Sequence, residues 1–146
     1  MELKSRVLVA VYLLTAFLAL LMSWAHLPAY FGSGFADANI QFWNDALFNA
    51  NPAGKFLAVD VLFLAFACNV WMFIEARRIG VKYVYVYVIA GIVIAISVAF
   101  PLFMAARELR LVATDKHFTG YKIKTVDVIT LVALFLIGVF AAFAIL

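Results

Sequence analysis

The sequence predicts an all-α fold: a polytopic membrane protein with four transmembrane helices and a short interfacial amphipathic helix, all in one membrane-embedded domain (1–146). Three observations carry this. Hydrophobic residues make up 68% of the chain and charged residues 13%, both far from the soluble norm. Apolar runs recur near 7–25, 53–78, 82–106 and 128–146, each long enough for the roughly 17–25 residues that cross about 30 Å of hydrocarbon. Between them lie the breakers and most of the charge.

The first run, VLVAVYLLTAFLALLMSWA, follows Lys4 and Arg6. Those flanks also suit a signal peptide, but the run is too long for its core and Ser23-Trp24-Ala25 is a poor cleavage context. A retained span is therefore expected. The polar stretch that follows contains Pro28, Gly32, Gly34, Asp37, Asp45 and Pro52. Within it, 38–49 places Ile40, Trp43 and Leu47 at helical spacing, with Gln41, Asn44 and Asp45 toward the other side. This reads as a helix lying in the interface, with Trp43 at headgroup level. It either caps the bundle or forms a lid over an intramembrane pocket.

Asn51-Pro52 marks the start of the second span, Asn as cap and Pro at the first helical position. Gly80 ends it, after Glu75, Arg77 and Arg78. The third span opens on Tyr83, Tyr85 and Tyr87, an aromatic belt. Gly91, Ala95 and Ala99 then recur every four residues, a stripe that admits a close neighbouring helix. Pro101 is expected to kink this span. A basic connection follows, with Arg107, Arg110, Lys116, His117, Lys122 and Lys124. The fourth span offers Gly138 and Ala142 as a small-residue face.

Four spans put both termini on one side. The basic flank of the first helix favours a cytoplasmic N-terminus, in a multi-pass protein of the cell inner membrane. That orientation leaves Lys55 and the five cations Arg107, Arg110, Lys116, Lys122 and Lys124 outside, against Lys4, Arg6, Arg77, Arg78 and Lys82 inside. The basic third connection thus violates the positive-inside pattern.

The motifs Asn51-Pro52-Ala53, Ala58-Val59-Asp60-Val61-Leu62, Trp71-Met72-Phe73-Ile74-Glu75-Ala76-Arg77-Arg78 with Gly80, Pro101-Leu102-Phe103 and Arg107-Glu108 are together similar to those of a family of small bacterial integral membrane proteins of unknown function. The resemblance implies a three-span core, with the fourth helix as an addition. It brings no activity.

Ionisable groups inside apolar runs are functional candidates by default, because hydrocarbon penalises them. Asp60 and Glu75 are the candidate catalytic acids, and Trp71, Asn69, Trp43 and Tyr87 the candidate ligand-binding residues. At 100° per residue, Ala67, Trp71 and Arg78 share the Asp60 side of the second helix, a polar-aromatic stripe expected to face the bundle interior. The alternatives are structural: Asp60 bonded to the loop or to Lys55, Glu75 paired with Arg78 or Arg77, Asn69 as interhelical glue, Trp71 as packing. Lone Cys68 excludes an internal disulfide or a multi-Cys metal site. His26 and His117 lie in loops and cannot pair about a haem within the bilayer, so no cofactor or metal is expected. No phosphate-binding loop or nucleophile elbow is present in the sequence.

These features point first to a non-enzymatic accessory subunit or a binder of a lipophilic small molecule. The expected partners are membrane lipids, a lipophilic ligand, further copies of the chain or a larger membrane complex, and not nucleic acid. The alternative is a membrane-embedded enzyme that uses a buried carboxylic acid on an isoprenoid-like substrate, such as a terpene cyclase. A transporter or channel component comes third, since neither a repeat nor a broken helix is apparent.

Overall fold

The computed structural model describes residues 3–114 and 124–144. Among them, Leu3–Trp24, Pro52–Ile79, Val84–Ala113 and Thr125–Ala144 are long and apolar enough to cross a membrane. The chain is an all-α, polytopic membrane protein.

Helix α1 (Leu3–Trp24) leads through a 3₁₀ segment, Leu27–Ser33, into α2 (Phe35–Leu47). Gly34, at φ 83° and ψ 159°, separates the two, a conformation that glycine reaches without a Cβ penalty. Tyr30 donates to Asp45 Oδ2 at 3.3 Å, tying segment to helix. Burial, and then the Asp45 carboxylate, push the Tyr30 phenol above its ordinary pKa.

Helix α3 (Pro52–Ile79) starts as its sequence dictates: Asn51 Oδ1 accepts the Gly54 N–H at 2.7 Å, and Pro52 occupies the first turn. It ends at Gly80, in the left-handed region at φ 78°, where the Gly80 and Val81 N–H groups both donate to the Ala76 carbonyl. A Cβ on Gly80 would come within 3.3 Å of the Arg110 guanidinium, the movable end of a long side chain, so it is the left-handed φ that calls for glycine.

The third apolar run differs from the expected single span. Helix α4 (Val84–Ala90) passes through a π-helical stretch, Gly91–Ala95, into α5 (Ile96–Ala113), and at Ala95 the backbone is extended, with φ 179° and ψ 146°. There the chain doubles back. The Tyr87 and Phe103 rings lie 5.5 Å apart, whereas a straight helix would separate these residues by about 24 Å. Likewise a Cβ on Gly91 would sit 3.7 Å from that of Ala99. The small residues therefore admit the chain's own return arm, and the turn falls at Ala95, six residues before Pro101.

This reversal fixes the remaining directions. Trp71 meets Phe100 and Phe103, Glu75 meets Arg107, and Gly80 meets Arg110, so α5 runs parallel to α3. Ser5 meets Glu108 and Trp24 meets Ile94, so α1 runs antiparallel to α5. Helix α6 (Thr125–Ala144) ends with Phe143 beside Leu18, Leu21, Met22 and Ala25, the far end of α1. The start of α1 and the end of α6 thus lie at opposite ends of the molecule, and Arg110 lies beside Gly80. Both findings differ from the arrangement inferred from four simple crossings.

The core sits between α3 and the reversal: Met72, Ala76, Val84 and Phe103 are buried, flanked by Phe73, Tyr87, Ile96 and Phe100. Lipid tails are as apolar as these side chains, so close packing and polar contacts hold the helices together more than the hydrophobic effect does. Helix α6 contributes no buried residue, and the Gly138 side has no neighbour within 4 Å among the described residues.

Candidate functional site

The polar groups that the fold takes inside converge at one end, on Glu75. Its carboxylate accepts from Arg78 Nε at 2.7 Å, from Arg78 Nη2 at 2.8 Å, and from Arg107 Nε at 2.6 Å. The Arg78 pair is local, three residues along one helix, and the Arg78 side chain is 53% exposed, so it is worth little. The Arg107 pair joins α3 to α5 between side chains only 4% and 19% exposed. Breaking a pair so enclosed strands a charge, and the penalty then far exceeds that of a surface ion pair.

Beside it, Ser5 Oγ donates to Glu108 Oε1 at 2.7 Å, both residues buried, and Glu108 Oε2 lies 3.9 Å from Arg107 Nη1. One connected set of polar side chains therefore ties α1, α3 and α5. Arg107 also lies over the Trp71 ring, 5.8 Å from its centroid. Below it, Trp71, Phe100, Phe103 and Tyr87 contact one another edge to face at 5.5–5.8 Å.

Of the six candidates from the sequence, Glu75, Trp71 and Tyr87 come together here. Asn69 lies two residues from Trp71, with its Oδ1 buried and lacking a hydrogen-bond partner among the described residues, so the interhelical bond expected of it does not form. Asp60 lies elsewhere. It is exposed, as are Ala67 and Arg78 of its stripe, because the packed side of α3 carries Met72, Glu75, Ala76 and Ile79. About 30 Å of helix separates Asp60 from Gly80, one hydrocarbon thickness. With Arg77 and Arg78 at one interface, Asp60 reaches the other. Trp43 belongs to that far end too, stacked edge-on to Phe42 at 5.4 Å, in a helix packed against the 3₁₀ segment and α3.

Sequence reasoning missed Arg107, Glu108 and Ser5 as site residues. A third span ended at 106 assigns Arg107 and Glu108 to a loop, and Ser5 looks like part of a basic leader. The available signal was the adjacent Arg-Glu pair at the edge of an apolar run, where ionisable groups need partners. His117, read as part of a loop, lies outside the described residues.

The same end gathers exposed cations. Lys4 and Arg6 flank Ser5, Arg77 and Lys82 flank Gly80, and Arg110 faces Gly80. A cleft of about 450 Å³ opens there, lined by Arg77, Gly80, Val81, Lys82, Tyr83 and Tyr85 among others. At the far end, Lys55 stands with Asp37, Asp45 and Asp60.

No curated protein and no solved structure matches the chain. A family does, over residues 11–109, a stretch that holds α2, α3, the reversal, Glu75, Arg107 and Glu108, and that ends before α6. The chain belongs to that family, described as Protein of unknown function DUF2834.

Proposed function

We propose that this small membrane protein is a non-enzymatic accessory subunit of a larger membrane assembly. The observation that carries the reading is the closed charge set on Glu75. Arg78 takes both carboxylate oxygens and Arg107 shares Oε1, and the neighbouring acid, Glu108, is held by Ser5. A carboxylate bonded at both oxygens to guanidinium groups of two helices, beside a second acid bonded to a third helix, is arranged to brace helices. A cyclase would instead need a protonated acid facing an aromatic cavity, and Asp60 is exposed on α3, well away from the aromatic cluster. Helix α6, apolar and without a buried residue, supplies the contact surface of an accessory subunit.

In this reading the N-terminus faces the cytoplasm of the inner membrane. The gathering of Lys4, Arg6, Arg77, Lys82 and Arg110 at one end supports it, since cations concentrate on the cytoplasmic side.

Photo-crosslinking in intact membranes tests the subunit reading, with a photoreactive residue in place of Leu134, Leu136 or Ile137 on α6. A discrete adduct with another polypeptide is the expected result. Adducts with lipid alone at every position would overturn it.

A further inference from the structure

We infer that the cleft between the end of α3 and the start of α4 binds the phosphate of an anionic glycerophospholipid headgroup. Two cations, Arg77 and Lys82, line it, and no carboxylate pairs with either among the described residues. The nearest acid on the same helix, Glu75, is already held by Arg78 and Arg107. The local charge is therefore unbalanced, and an oxyanion is the ligand it fits.

The shape of the loop supports a built cleft. Gly80 and Tyr83 both adopt left-handed backbone, φ 78° and φ 58°, and Tyr83 does so at a position where a side chain is disfavoured. The paired left-handed residues fold the loop tightly between two helices, so Arg77 and Lys82 border one opening of about 450 Å³.

Position selects lipid over free phosphate. The cleft sits where an apolar helix ends, beside Tyr83 and Tyr85, the residue type that marks headgroup level. Directly below, α4 exposes Val86 and Ile89, a surface along which an acyl chain can lie. A headgroup in the cleft and a chain on α4 would be one molecule. Basic pockets beside membrane helices bind anionic lipids by this combination.

The test uses the full chain in nanodiscs or mild detergent, measuring retention of phosphatidylglycerol against phosphatidylcholine by native mass spectrometry. The wild-type chain should prefer phosphatidylglycerol. Arg77→Gln with Lys82→Gln should weaken that preference by roughly five-fold per cation removed, roughly thirty-fold together. Lys4→Gln with Arg6→Gln, at the same end but outside the cleft, should leave most of it. Helicity and elution volume establish that each variant is folded, and the single variants are read if the double one is not. Equal retention of the two lipids, equal loss in both double variants, or competition by millimolar inorganic phosphate at the strength of the lipid would each overturn the proposal.

Discussion

The indole of Trp24 donates to the carbonyl of Ile94 at 3.3 Å, joining the end of α1 to the point where the third apolar run turns back. Ala95, the next residue, is extended, so the regular helical ladder is interrupted there. Backbone of this kind is tolerated at membrane depth only where the protein satisfies it. Trp24→Phe removes the donor and keeps much of the ring. We expect a loss of about 1 kcal/mol, read as a drop of a few degrees in the thermal midpoint in detergent. An unchanged midpoint would mean that another group satisfies the carbonyl.

Glu75 and Arg107 should show the asymmetry of an enclosed ion pair. Glu75→Gln strands the enclosed Arg107 and should destabilise by about 3–5 kcal/mol. Arg107→Met leaves Glu75 its two bonds from Arg78 and should cost less than that, and Glu75→Met with Arg107→Met together should also cost far less than Glu75→Gln. Arg78→Ala, on the exposed partner, should change stability little. Equal effects from Arg78 and Arg107 would show that the pair between helices is no stronger than the local one.

Gly91 tests the reversal sterically. A Cβ there comes closest to the tip of Ile96, Cδ1 at 3.2 Å, which can move, and meets Ala99 at an ordinary 3.7 Å, so Gly91→Ala should be tolerated. Gly91→Leu has to displace Ala99 as well and should lower the thermal midpoint clearly. A silent Gly91→Leu would mean that the two arms do not pack there.

Much of this architecture was legible because its causes are local. Apolar length, the Asn51-Pro52 cap, Gly80 as terminator and the Glu75–Arg78 spacing all lie within a few residues of chain. The reversal was not legible, since Gly91, Ala95 and Ala99 serve a neighbouring helix and a returning arm equally well. Arg107 depended on it: only the turn at Ala95 brings that residue to Glu75, 32 positions away. The side of α3 that packs was not legible for a related reason: the stripe of Asp60, Ala67 and Arg78 was expected to face the bundle interior, whereas these residues are exposed and Met72, Glu75, Ala76 and Ile79 are buried. Arg110 lies beside Gly80, at the same end as Arg77 and Lys82, where simple alternation of four spans would have set it on the opposite side.

Asp60, exposed and far from the charge cluster, should tolerate change. Both Asp60→Asn and Asp60→Leu should alter stability by no more than about 0.5 kcal/mol, as expected for a surface position without partners. Unfolding on Asp60→Asn would show that the carboxylate has an obligatory partner.

The reversal at Ala95 organises everything else: it sets α5 parallel to α3, delivers Arg107 to Glu75, and collects the cations at one end. Cysteine accessibility in oriented membranes tests it most directly, with Cys68→Ala as background and single cysteines at Lys82, Thr114 and Asn49. The two ends of the third apolar run, Lys82→Cys and Thr114→Cys, should label from the same side, and Asn49→Cys from the other. Labelling of Lys82→Cys and Thr114→Cys from opposite sides would contradict the account.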